Sequence, residues 1–172
     1  MFNTTIATQI YAKICFEATN SQKKIIENLS EYLSDDDFSR IFVLNGFAGT
    51  GKTTLIAAVV AALKELRIKP VLLAPTGRAA KVLARYCGEQ ALTIHKRIYR
   101  QRTNADYESK FSLDFNREQG AVFIVDEASM LSDSTGDGAL FGSGSLLEDL
   151  VSYVRSGRGC RLILVGDSAQ LP

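Results

Sequence analysis

The sequence has almost no charge surplus: 20 lysines and arginines stand against 19 aspartates and glutamates, a formal net charge of +1. No overall field marks a nucleic-acid or membrane partner, so any basic surface must come from a local cluster. Cysteine is scarce as well. Cys15, Cys87 and Cys160 are odd in number, widely separated and without a CxxC pair, which argues for free thiols in a reducing cytosol and against a disulfide framework. The one histidine, His95, has no cysteine near it, so no zinc site is legible. Long apolar runs are missing too. At the N-terminus Phe2, Ile6, Ile10 and Ile14 mark one stripe of a helix, not the continuous core of a signal peptide, and nothing approaches a membrane span. The expectation is a cytoplasmic chain with no membrane partner.

What is present is an alternation of strand-like and helix-like segments. Good N-cap residues at Thr19-Asn20-Ser21 open a helix through QKKIIENLSEYL, and the acidic 35–37 turn closes it. IFVLN (41–45) reads as a strand buried on both faces. A Gly-rich turn and the Ala/Leu-rich helix TTLIAAVVAALKELR follow. Pro70 starts the strand VLLA (71–74). GRAAKVLARYC is a second helix of this alternation and TIHKRIY a short third. Residues 100–120 turn polar, and Phe111, Leu113 and Phe115 alternate as on one face of a strand or hairpin. AVFIV (121–125) is a third strand, 132–145 a Gly/Ser-rich loop, LLEDLVSYVRS a helix and RLILV (161–165) a fourth strand. Strands separated by helices imply a doubly wound parallel α/β sheet, whose ligands bind beyond the carboxyl ends of the strands.

Those ends carry the chemistry. GFAGTGKT (46–53) fits G-x-x-x-x-G-K-[ST] between a strand and a helix. Its glycines let backbone N–H groups wrap a phosphate, Lys52 reaches the β/γ-phosphates, and Thr53 can ligate Mg²⁺ at a helix N-terminus. The third strand ends in DEASM (126–130). Asp126 sits where a P-loop protein holds its magnesium, and adjacent Glu127 can deprotonate an attacking water. The fourth strand leads into GDSAQLP, where the neutral amide of Gln170 can hydrogen-bond a phosphate oxygen or a positioned water.

Together these segments resemble a superfamily 1 helicase of the RecD/Dda-like group, related to the Pif1 and relaxase helicases. GFAGTGKTT resembles its motif I, APTGRAAK (74–81) motif Ia, DEASM motif II and GDSAQLP motif III, in the family's order and over roughly residues 19–172. The resemblance implies a P-loop NTPase with a RecA-like doubly wound sheet, in which the motif III strand lies between those of motifs I and II. It implies ATP and Mg²⁺ as cofactors, with Gly46, Phe47, Ala48, Gly49, Thr50, Gly51, Lys52, Thr53 and Thr54 forming the phosphate loop. Thr53 and Asp126 would hold the metal, and Lys52, Asp126, Glu127 and Gln170 would form the catalytic set. Gln22 is the best match to the glutamine that contacts adenine in the family.

The same resemblance implies single-stranded DNA crossing the domain at Pro75, Thr76 and His95. Arg78, Lys81, Lys96, Arg97, Arg100 and Arg102 concentrate positive charge there, suited to phosphates, although a solvated helix face would read the same way. Residues 1–18 are expected as an N-terminal helical segment and 19–172 as a first motor domain, with a small hairpin within 100–120. The second RecA-like motor domain, with its γ-phosphate arginine, is expected to be absent from these 172 residues, leaving weak nucleotide and DNA binding without unwinding. Two other classes compete. A GTPase should show a DxxG switch and an Asn-Lys-x-Asp base reader, where this sequence has DEAS and no such reader, and a small-molecule kinase should show an acceptor site and an Arg-bearing lid. A non-catalytic interaction module could keep its P-loop for support alone.

Overall fold

Thr19 opens the first long helix of the sheet-bearing region with a reciprocal cap. Its hydroxyl accepts from the Gln22 N–H at 3.3 Å, and the Gln22 side-chain oxygen accepts from the Thr19 N–H at 3.0 Å, so two otherwise orphaned donors are satisfied. The structure is a computed structural model and describes residues 2–15, 17–47, 49–103, 109–131 and 141–167. Before the capped helix α2 (Asn20–Ser34) lies α1 (Phe2–Lys13). Its Ile6 and Ile10 enter the same core as Ile26 and Val59, and its Lys13 pairs with Glu65. The N-terminal segment thus shares the core of residues 19–172.

Five parallel strands form the central sheet. In chain order they are β1 (Ile41–Asn45), β2 (Pro70–Ala74), β3 (Ala91–Thr93), β6 (Val122–Val125) and β7 (Arg161–Gly166), and in space they run β1-β7-β6-β2-β3. Helices α3 (Lys52–Glu65) and α4 (Gly77–Cys87) join the first three strands, and α6 (Leu146–Ser156) joins β6 to β7. Between β3 and β6 come the short helix α5 (Ile94–Ile98) and an antiparallel pair, β4 (Tyr99–Thr103) with β5 (Ser109–Leu113). Strand alternation divides the core. Val122 and Ile124 pack with residues of α1–α4, whereas Phe123 and Val125 pack with α5, α6 and the hairpin base. Among the described residues no helix is long and apolar enough to cross a membrane.

Several expectations need correction. β1 is an edge strand, paired only with β7 among the described strands, and Val43 is 56% exposed; it is not buried on both faces. An apolar run reports hydrophobicity, and position in the sheet decides burial. The sheet also has a strand the sequence reading missed, β3, because three residues are too few to show a period. The hairpin exists, but Phe115 falls beyond β5 and is exposed, while Phe111 and Leu113 pack inward.

The hairpin base is tied to the segment ahead of α6. The Tyr99 hydroxyl donates to Asp149 Oδ2 at 2.6 Å, and the same oxygen accepts from the Ser143 N–H at 3.0 Å. Phe111 and Phe141 stack at 4.7 Å between centroids. Burial and the Asp149 carboxylate hold the Tyr99 phenol well above its ordinary pKa. Gly142 is required here: its φ is +40°, and a Cβ would lie 1.9 Å from Asp149 Oδ2.

Candidate nucleotide-binding site

The loop leaving β1 turns through Gly49 and Gly51, with φ of +78° and +80°, conformations that a Cβ makes costly. Thr50 fastens the turn: its hydroxyl donates to the Phe47 carbonyl at 2.8 Å. The Lys52 ammonium donates to the carbonyls of Gly46 and Phe47, the latter at 2.9 Å. The loop therefore holds its own cation at the N-terminus of α3, where helix N–H groups and the dipole favour an anion. Ala48 lies outside the described residues.

Strand order brings the second element in. β7 separates β1 from β6, so the end of β6 faces the loop across one strand width. One cavity of about 520 Å³ is lined by Gly49, Gly51, Lys52, Thr53 and Thr54 on one side and by Asp126 and Glu127 on the other. Burial pushes the Asp126 carboxyl above its ordinary pKa, opposed by the Glu127 N–H and the Lys52 charge. Glu127 is one of two non-glycine residues with positive φ among the described residues, at +55°, a strained conformation of the kind concentrated at functional sites.

The donor set suits a magnesium nucleotide. Gly49, Gly51, Lys52 and Thr53 line the cavity at the N-terminus of α3, and Thr53 and Asp126 would be the hard oxygen ligands for Mg²⁺. Among the described residues no three His, Cys, Asp or Glu side chains cluster as a metal cage, so phosphate oxygens and water would complete the coordination. Four further wall residues carry no role read from the sequence: Val82 and Tyr86, one turn apart on α4, and Gly166 with Asp167 at the end of β7. Only the Gly-Asp exit from a buried strand hinted at the last two. Behind Tyr86, burial and then the Asp126 and Glu89 charges push the Cys87 thiol up to about 11, keeping it protonated.

Matching this geometry, the sequence fits the family model described as an AAA domain over residues 17–172. The chain belongs to the AAA domain family. This AAA domain is 30% identical over 152 residues to the ATP-dependent RecD2 DNA helicase of Deinococcus radiodurans, covering 88% of the chain and 19% of that protein. It is 35% identical over 155 residues to the RecBCD enzyme subunit RecD of Mycobacterium tuberculosis, covering 76% of the chain and 24% of the relative. To the ATP-dependent DNA helicase dda of Enterobacteria phage T4 it is 33% identical over 133 residues, covering 74% and 27%. The chain thus spans about a fifth to a quarter of the length of these relatives.

The remaining nominated residues separate into groups. Gln170 lies outside the described residues. Gln22 borders a second cavity, of about 610 Å³, on the other side of the AAA domain's phosphate loop. Thr76 caps α4, accepting from the Ala79 N–H at 3.2 Å. With Arg78 it lines a cleft of about 350 Å³ whose wall includes Asp126 and Glu127. Pro75 is half-buried beside them. His95 is exposed, its ring edge-on to Phe141 at 5.1 Å.

Arg97 and Arg100 were counted as free positive charge, and the structure gives both a carboxylate. Arg97 donates to Glu118 at 2.7 Å, beside Lys69 on the same carboxylate, and lies 6.0 Å from the Phe123 ring centroid. Arg100 donates to Asp114 at 2.8 Å. The acids come from residues 114–118, beyond the hairpin, so a local charge count along 95–102 missed them. The side chain of Arg102 lies outside the described residues; Lys81 and Lys96 are exposed.

Proposed function

We propose that residues 1–172 are the ATP-binding first motor domain of a RecD/Dda-like DNA helicase, which in the whole protein couples ATP hydrolysis to movement along single-stranded DNA, in the 5′→3′ direction. One observation carries this reading. Asp126 and Glu127 form a wall shared by the P-loop cavity and the cleft lined by Thr76 and Arg78. Hydrolytic groups and candidate DNA-contacting groups therefore sit back to back across two residues.

On this reading Lys52 gives up the carbonyls of Gly46 and Phe47 for the β- and γ-phosphates. Magnesium held by Thr53 and Asp126 would neutralise phosphate charge. Glu127 accepts the proton of the attacking water, and its backbone N–H, donated to Asp126 Oδ1 at 3.0 Å, orients the Asp126 carboxylate. Gln170 would report the γ-phosphate, and Arg78 with Pro75, Thr76 and His95 would meet the DNA strand. A second RecA-like domain would supply an arginine to the transferring phosphoryl group, worth about 10³–10⁵ in rate in related systems.

Residues 1–172 alone should bind Mg-ATP and single-stranded DNA weakly, hydrolyse near background and separate no strands. Glu127→Gln should retain ATP affinity and remove whatever residual single-turnover hydrolysis exists, and a separately supplied second motor domain should raise the wild-type rate. ATP-dependent displacement of a forked duplex by residues 1–172 would overturn the two-domain requirement, and loss of ATP binding in Glu127→Gln would make that residue structural.

A further inference from the structure

Phe47 is the most exposed large apolar side chain among the described residues, at 66%, and it stands on the phosphate loop. An aromatic ring left in water there is an uncovered hydrophobic surface. It borders the 610 Å³ cavity together with Gln22, Ile25, Leu44 and Leu55, and it is the one aromatic residue of that lining. We propose that Phe47 is the base-stacking wall of the nucleotide site, and that this site grips the base by its π-face more than by its hydrogen-bonding edge. The proposal rests on the P-loop reading above and adds the mode of base recognition.

The state of Gln22 supports it from the other side. This residue was expected to read adenine, yet its side-chain oxygen accepts the Thr19 N–H at 3.0 Å and its amide nitrogen donates to the Thr50 carbonyl at 3.4 Å. The oxygen cannot turn to a base without undoing the cap of α2. A base entering the cavity therefore meets aliphatic walls, one ring and a partly committed amide, with Thr19, Ser21, Asn45 and Thr50 as the other uncharged polar residues of the lining. Stacking is tolerant because every base has a π-face, so discrimination between bases should be shallow. The Phe47 carbonyl accepts from both Lys52 and Thr50, so the residue beneath the base belongs to the same loop that holds the lysine.

The chain contains no tryptophan, so Phe47→Trp provides a single fluorophore in the site. Its emission should change on titration with ATP, GTP or CTP and stay nearly flat with inorganic tripolyphosphate. Phe47→Ala should weaken all three nucleotides by about tenfold, within the range of one base–aromatic stack, and tripolyphosphate far less, while Phe47→Tyr restores nucleotide affinity. Gln22→Ala should lower thermal stability and leave the ATP-to-CTP affinity ratio within about twofold. Equal losses for ATP and tripolyphosphate in Phe47→Ala, or undiminished ATP affinity, would overturn the stacking role. Failure of the underlying reading looks different: wild-type protein would then bind tripolyphosphate no better than Lys52→Ala does.

Discussion

Lys52 and Arg97 are both basic residues, but Lys52 stands beyond the carboxyl end of β1 while Arg97 reaches Glu118, shared with Lys69, ahead of the amino ends of β6 and β2, and their partners differ in kind. The Lys52 ammonium rests on two neutral backbone carbonyls in an open cavity. The Arg97 guanidinium rests on the Glu118 carboxylate, with the two side chains only 25% and 18% exposed. A cation on neutral acceptors can transfer to a phosphate and gain a charge-assisted bond. A cation on a half-buried carboxylate gives up a charge-assisted bond when it leaves, and here leaves Lys69 as that carboxylate's remaining cation. Of two residues equally positive on paper, Lys52 is held by neutral carbonyls and Arg97 by a carboxylate.

Exchange of roles would break this comparison, and Lys52→Ala is the strongest probe. It should weaken ATP binding by more than tenfold in a calorimetric titration while moving the urea midpoint little; the reverse result would make Lys52 a framework residue. Arg97→Ala should do the opposite. It should cost about 1–2 kcal/mol in urea unfolding, less than a fully buried pair because Lys69 still neutralises Glu118 and water screens the site, and it should leave ATP affinity intact.

Arg100 lies between these cases. Its side chain is 67% exposed, and Asp114 is its partner, so a phosphate can compete for it. Arg100→Ala should reduce the slope of log affinity for single-stranded DNA against log salt by about 0.7, one phosphate contact; an unchanged slope would place it on a merely solvated face.

The smallest effect concerns Asp126. Because burial raises its folded pKa, the folded state keeps this proton to higher pH than the unfolded chain does. Its favourable contribution is complete below the unfolded value, near about pH 3.9, and is lost as pH rises through the folded value. Ionised Asp126 therefore burdens the fold at neutral pH. Asp126→Asn should be slightly more stable than wild type at neutral pH, with the gain shrinking toward about pH 4, and should lose Mg²⁺-dependent hydrolysis. Equal urea midpoints at neutral pH would show that the carboxylate is not under strain there.

The P-loop was legible because its chemistry is local: glycines at fixed spacing, one lysine and one threonine between a strand and a helix. The capped start of α2 was legible for the same reason, as were the helices α3, α4 and α6. Gln22 shows the limit. A glutamine three residues after a threonine fits an adenine reader and a capping-box partner equally well, and only the distances to Thr19 and Thr50 show that its amide also serves the cap of α2 and the loop. The hairpin base was illegible in a different way, since Tyr99 and Asp149 meet across fifty residues.

By itself the sequence determined most of the strands and helices, β3 excepted, and where a P-loop turn would form, because periodicity, capping and the left-handed tolerance of glycine act within a few residues. The insertion of β7 between β1 and β6 is the order the family resemblance implied, but only the tertiary structure shows Asp126 and Glu127 set across the cavity from Lys52 and Thr53. It alone decided that Glu118 and Asp114 neutralise the arginines, that Val43 lies on an open edge, and that Phe47 stands bare over an apolar cavity. Each of these depends on contacts between residues distant in the chain, and a side chain's partner, burial and charge are set by whatever folding brings against it.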